Sequence, residues 1–216
     1  MDPFFLAAWA LEGGPPGRFL DAGTGSGIVA LLLGRLGHRG QGLDIQPAWI
    51  DRARQSAARS GLDARLDFVQ GDLRTAAPGG FDLALCNPPS FPVGAGPLPA
   101  EPLKAAARHA LFGDLDALLP ALARMAPRVA LILPPRRAAE AEARLAAAGR
   151  PLRRRCRLGS ALVLLEGQDG GGPLHDEAFE PRGADGAPHP RVVGWYAALG
   201  ARLAQIGAVN RLPAAP

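Results

Sequence analysis

The stretch Asp21-Ala22-Gly23-Thr24-Gly25-Ser26-Gly27 stands between an apolar run, Arg18 to Ala22, and a helical pattern, Ile28 to Leu36. Glycines at such a strand-to-helix turn let the backbone bend tightly and approach a ligand closely. Their spacing separates two kinds of ligand. The dinucleotide fingerprint is G-x-G-x-x-G. Gly23 and Gly25 satisfy its first half, but the third glycine would fall on Ile28, and the chain reads G-x-G-x-G instead. A carboxylate at the end of the first strand would repel a pyrophosphate, yet Asp21 is there. It suits a cationic ligand group, such as an amino-acid ammonium. Asp44, followed by Ile45, ends a second strand 23 residues on. An acid in that place can accept both hydroxyls of a ribose. Asp72, followed by Leu73, ends a third strand and can meet an adenine edge.

Outward from this loop, apolar runs alternate with amphipathic stretches. Strands are predicted at 18–22, 40–45, 64–72, 81–87, 128–134, 152–158 and 160–166. Helices are predicted at 28–36, from Pro47 to about Ser60, near 103–124, at 136–148 and from Val192 to Ile206, within a C-terminal helical region 191–207. Strands alternating with helices imply a parallel sheet covered on both faces. The last two strands, joined tightly at Gly159, read as an antiparallel hairpin. The expectation is an α/β, Rossmann-like fold: a mostly parallel seven-stranded sheet finished by that hairpin. Residues 1–14 read as a short first helix packing on the domain, with Phe4, Phe5 and Trp9 in its core face, and 167–190 as a Gly/Pro-rich loop. Trp195 and Tyr196 read as packing residues of the last helix.

The length of 216 residues predicts one domain, 1–216, large enough to need no metal or disulfide staples. Cys86 and Cys156 fit neither a disulfide framework nor a zinc cluster, which implies a reducing, cytoplasmic setting. No stretch approaches the roughly 18 apolar residues of a membrane span. The start carries Asp2 and no basic residue, unlike a signal peptide. The net charge of +4 is carried almost wholly by arginine, Lys104 being the only lysine. That charge is short of a strong nucleic-acid footprint.

The fourth strand runs into Asn87-Pro88-Pro89-Ser90, then Phe91. Ligands in open α/β sheets bind beyond the carboxyl ends of the strands. Asn87 is thus expected beside the ligand held by the glycine loop. Its side-chain oxygen and the Pro88 carbonyl are acceptors that can grip both hydrogens of a planar NH2 group. That grip aims the nitrogen lone pair for an in-line displacement, in which alignment supplies most of the rate and no metal is required.

These motifs, DAGTGSG, LDI and GDL, resemble those of the class I S-adenosylmethionine-dependent methyltransferases. The resemblance implies that Asp21, Gly23, Thr24, Gly25 and Gly27 hold the methionine end of the donor. It puts Asp44 and Ile45 at the ribose, Asp72 and Leu73 at the adenine, and Asn87 beside the methyl group. Asn87-Pro88-Pro89 is similar to the (N/D)PP(Y/F/W) motif of members that methylate amino groups of adenine, guanine or glutamine. Ser90 departs from it, because the usual aromatic ring stacks on the target and a serine cannot, which leaves Phe91 as the neighbouring ring.

DPFFLAA, NPPSF, AARHALFGDLDALLPALARM, LILPPRR and the late LLEG to PLHD run resemble the bacterial tRNA1(Val) adenine-37 N6-methyltransferase group. That implies RNA, in particular tRNA adenine N6, as substrate and partner. The group carries more sequence before its first helix, so a shortened substrate-facing lid is expected. Protein glutamine N5-methylation, a guanine N2 or small-molecule target, and a SAM- or RNA-binding module without catalysis stay open as alternatives.

Arginines cluster at 150, 153, 154, 155 and 157. On a strand, Arg153, Arg155 and Arg157 share one face, while Leu152, Arg154, Cys156 and Leu158 share the other. The row can bind RNA phosphates, which position without reading sequence, or simply protect an edge strand by its charge. His109 reads as a helix-surface residue, and His175 and His189 lack partners at any metal spacing.

Overall fold

The computed structural model describes residues 3–88, 115–170 and 172–200. Pro89, Ser90, Phe91 and His109 lie outside the described residues, as do most of the predicted helix at 103–124 and the part of the last predicted helix beyond 200.

The described strands are β1 (Arg18–Ala22), β2 (Arg39–Asp44), β3 (Leu66–Gln70), β4 (Leu83–Cys86), β5 (Arg128–Leu133), β6 (Leu152–Leu158), β7 (Leu162–Gln168) and β8 (His175–Phe179). They form one sheet in the order β3-β2-β1-β4-β5-β7-β6-β8. β1 to β5 pair in parallel, β7 runs antiparallel to both β5 and β6, and β8 runs parallel to β6. The sheet therefore has eight strands where the sequence predicts seven. The extra strand lies inside the predicted 167–190 loop. β8 reads His-Asp-Glu-Ala-Phe and is mostly exposed at the sheet edge. A strand with solvent along it needs no apolar alternation, so periodicity does not reveal it.

The helices are α1 (Pro3–Glu12), α2 (Ile28–Arg35), α3 (Pro47–Arg59), α4 (Leu115–Met125), α5 (Ala138–Ala147) and α6 (Pro190–Ala198). Side chains alternate along the strands and feed two cores. Phe19, Phe68, Leu83, Leu85 and Ile132 pack under α1, α2, α3 and α6. Leu20, Ala22, Leu43, Ala84, Cys86 and Leu131 pack under α4 and α5. Pro47 opens α3 at its first turn, where a missing N–H costs nothing. No described helix is long and apolar enough to cross a membrane.

The first and last helices pack together. Phe5 lies 5.6 Å from Trp195, and Trp9 is fully buried. Arg128 donates to the carbonyls of Gly14 and Ala10, and Arg154 donates to that of Trp9. Cations are favourable at a helix C-terminus, and buried Glu166 holds both guanidinium groups. Arg191 of α6 pairs with Glu177 of β8 at 2.7 Å, which tethers the edge strand to the last helix.

A register shift between Leu152 and Arg154 corrects the predicted faces of β6. A bulge inserts one residue and reverses the alternation. Leu152 accordingly packs on the α4–α5 side, while Cys156 and Leu158 belong to the opposite core.

Candidate active site

The sheet reverses its order between β1 and β4, the place where open α/β sheets bind ligands. Ala22 of β1 pairs with Leu43 on one side and Cys86 on the other. The next residues, Gly23, Asp44 and Asn87, therefore leave three adjacent strand tips together. Asp72 follows two residues after the end of β3, beyond Gly71, whose N–H donates to the Asp44 carbonyl at 3.0 Å.

The loop is held by both of its acids. Asp21 Oδ2 accepts from Thr24 Oγ1 at 2.6 Å and from the Ala30 N–H at 3.1 Å. The residue before α2 is Gly27, which has no side-chain cap. Asp21 satisfies a donor in the first turn of α2 in its place. Its carboxylate thus organises the loop from beneath as well as charging it. Gly23, Gly25 and Gly27 have φ of 70°, 54° and 86°, a conformation that L side chains resist.

Burial raises the Asp21 pKa to about 6, against the lowering effect of the Thr24 and Ala30 hydrogen bonds. The native state then holds a proton that the unfolded chain gives up near pH 4. The stability from this group is complete below that pH and is lost as pH rises through about 6, with a span on the order of 3 kcal/mol. Asp21→Asn is expected to remove this slope. Thermal melts at pH 5 and pH 8 check it, and an unchanged difference between the two pH values contradicts it.

Asp44 is buried and accepts from Gly25 N–H through Oδ2 and from Gln46 N–H through Oδ1, both at 2.9 Å. An ionised carboxylate offers about four lone-pair sites, so two remain for other donors. Ile45 is half-buried beside it, and Leu73 is buried. Asn87 is half-buried and Pro88 buried at the tip of β4. Burial drives the thiol pKa of neighbouring Cys86 upward, and the charges of Asp21 and Asp44 add to the effect. Cys86 is an inert packing group.

Asp72 is engaged by Arg74. The guanidinium donates through Nε to both carboxylate oxygens at 3.0 Å and through Nη2 to Oδ2 at 2.6 Å. These bonds hold the Asp72 carboxyl below the usual carboxylate range. The sequence reading missed this pair, although Arg74 stands only two residues along in GDLR.

It also missed Gly42. A Cβ there would lie 2.5 Å from the Phe68 ring and 2.8 Å from Thr24 Oγ1. The signal was available, since a glycine inside a strand marks a close approach. Gly42→Ala is expected to destabilise the protein by about 1–3 kcal/mol. It also pushes Thr24 off Asp21, so donor affinity falls with stability. Urea titration and calorimetry check the two effects.

The arginine row does not join this centre. β6 is three strands from β4, about 14 Å at ordinary strand spacing. Arg155 is paired with Glu142 at 2.7 Å and Asp176 at 3.1 Å, and Arg157 with Asp176 at 2.8 Å. Arg153 packs against Gly172 in the link to β8. Among the described residues no cluster of three histidine, cysteine or acidic side chains could hold a metal ion.

Comparison with known proteins follows the same lines. A family profile described as a methyltransferase domain matches residues 19–109. The tRNA1(Val) (adenine(37)-N6)-methyltransferase of Tolumonas auensis is 34% identical over 165 residues, covering 73% of this chain and 68% of that protein. The chain belongs to the class I S-adenosylmethionine-dependent methyltransferases. The release factor glutamine methyltransferase of Rhodospirillum rubrum is 39% identical to this methyltransferase over 127 residues, 58% of the chain. The chain spans only 33% of that relative's length. A crystal structure of a predicted O-methyltransferase from Agrobacterium tumefaciens superposes with a TM-score of 0.69 at 16% identity, covering 94% of this chain and 98% of its own, a likeness of fold.

The family's methyl donor is S-adenosylmethionine, and the methyltransferase's own atoms fit it. The free lone pairs of Asp44 match two ribose hydroxyls. A Cβ added at Gly25 would meet nothing within 4 Å, so the loop leaves open space where a ligand must approach the backbone.

Proposed function

We propose that this methyltransferase transfers a methyl group to an exocyclic amino nitrogen, and that the nitrogen is adenine N6 in a tRNA. The observation that carries the reading is the position of Asn87-Pro88 at the tip of β4, directly beside the glycine loop of β1. The similarity to the Tolumonas enzyme along 73% of the chain supports the substrate.

S-adenosylmethionine, when bound, supplies an electrophilic sulfonium methyl. Gly23, Thr24, Gly25 and Gly27 shape the backbone around the methionine end, with Asp21 beneath them. Asp44 and Ile45 receive the ribose, and Asp72 and Leu73 the adenine. The Asn87 side-chain oxygen and the Pro88 carbonyl accept the two hydrogens of the target NH2. The nitrogen lone pair is then free to form the new bond to carbon as the carbon–sulfur bond breaks, and one amino proton leaves to water. The resemblance assigns Pro89 to the same motif and Ser90 and Phe91 to the target, and all three lie outside the described residues. Arg155 and Arg157 serve RNA phosphates only where these displace Glu142 and Asp176, and Arg153 only where it turns away from Gly172.

A second reading, N5-methylation of a protein glutamine, is favoured by the Rhodospirillum relative. Incubation with methyl-labelled donor separates them. The expected result is label in total tRNA, recovered as N6-methyladenosine after digestion to nucleosides. Label only in release-factor or ribosomal-protein fractions overturns the tRNA reading. No label in any pool, with donor binding retained, identifies a binding module.

A further inference from the structure

Asp72 is the acid that the proposed function sets against the donor's adenine, and in the structure its acceptor sites are already in use. Oδ1 accepts from the Arg74 N–H at 2.9 Å and from Arg74 Nε at 3.0 Å. Oδ2 accepts from Nε at 3.0 Å and from Nη2 at 2.6 Å. Three N–H groups make these contacts, and each oxygen has one donor of its own and a share of the single Nε–H. An adenine 6-amino group that donates to either oxygen competes with the shared Nε–H for its place. The backbone contact belongs to the turn after β3, where Thr75 and Ala76 N–H also bond the Asp72 carbonyl. The guanidinium is the part that can leave. The Arg74 side chain is 42% exposed against 20% for Asp72, so the pair is open to water on the arginine side.

We propose that Arg74 is a specificity-determining residue of the donor site: its guanidinium competes with the donor's 6-amino group for Asp72, so that adenine binds by exchanging one donor for another. This rests on the reading of Asp72 as the adenine-facing acid. The consequence is selective. A ligand with a 6-amino group replaces the contacts it removes, and one without it gains nothing from Asp72. Arg74 sets the net gain from the amino group and thereby the affinity for S-adenosylmethionine and its demethylated product.

The test is calorimetric titration of the whole chain with S-adenosylhomocysteine and with its purine analogue lacking the 6-amino group. Arg74→Ala is expected to tighten S-adenosylhomocysteine binding by about two- to fivefold, the worth of a partly exposed ion pair, and to leave the des-amino analogue unchanged. Arg74→Gln, which keeps the stem but loses the forked cation, is expected to act in the same direction. In an Asp72→Ala background the Arg74 effect disappears. Weaker S-adenosylhomocysteine binding in both Arg74 variants overturns the proposal, as does equal tightening of the two ligands. An Arg74→Ala chain that binds the two ligands equally, as the wild type does, removes Asp72 from the adenine site and fails the underlying reading instead.

Discussion

Asn87→Ala is expected to slow methyl transfer by about a hundredfold or more while leaving donor affinity little changed. The size follows from what the side chain is asked to do. It removes no charge. It supplies one of the two acceptors that align the target nitrogen, and misalignment by about 1 Å costs about a hundredfold. Asn87→Asp keeps an acceptor oxygen in the same place and is expected to retain more activity than the alanine variant. Single-turnover rates with saturating donor, set beside calorimetric affinities, check both parts. Undiminished turnover in Asn87→Ala removes the proposed grip.

Asp44→Ala acts on the other half of the site. Its carboxylate holds Gly25 N–H and Gln46 N–H, both at 2.9 Å, so its loss frees the glycine loop as well as the ribose. Hydrogen bonds to a charged group are each worth about 1.5–3 kcal/mol. Losing two ribose contacts and the loop anchor is expected to weaken donor binding by at least about a hundredfold. Asp44→Asn, which keeps one acceptor, is expected to fall between alanine and wild type. Titration with S-adenosylhomocysteine reads this directly, and equal affinity in wild type and Asp44→Ala excludes the ribose role.

Much of the fold can be read in the chain before its structure. Seven strands lie where apolar runs predict them, and α2, α3 and α5 end within a residue of the predicted 36, 60 and 148. Buried elements announce themselves because burial demands periodicity. The exceptions have physical reasons. β8 is an edge strand whose polar residues meet water and Arg155, Arg157 and Arg191, so it shows no apolar pattern. The bulge after Leu152 depends on pairing across two strands, which one strand's sequence does not contain.

The site divides in the same way. Asp21, Asp44 and Asn87 could be placed from spacing, because a parallel sheet brings successive strand tips to one edge. Their partners could not. That Asp21 caps α2 through Ala30, and that Arg74 folds back on Asp72, are contacts set by backbone direction and rotamer. The arginine row illustrates the reverse error. Its charge is plain in the sequence, while Glu142 of α5 and Asp176 of β8, which hold two of its three members, meet it only through the packing of the sheet edge.

A calorimetric titration of the purified chain with S-adenosylhomocysteine, repeated with a nicotinamide dinucleotide, goes straight to the chemistry of the glycine loop and its acids. Saturable heat with the adenosyl compound and none with the dinucleotide is the expected result. Uptake of the dinucleotide with no response to the adenosyl compound would contradict it.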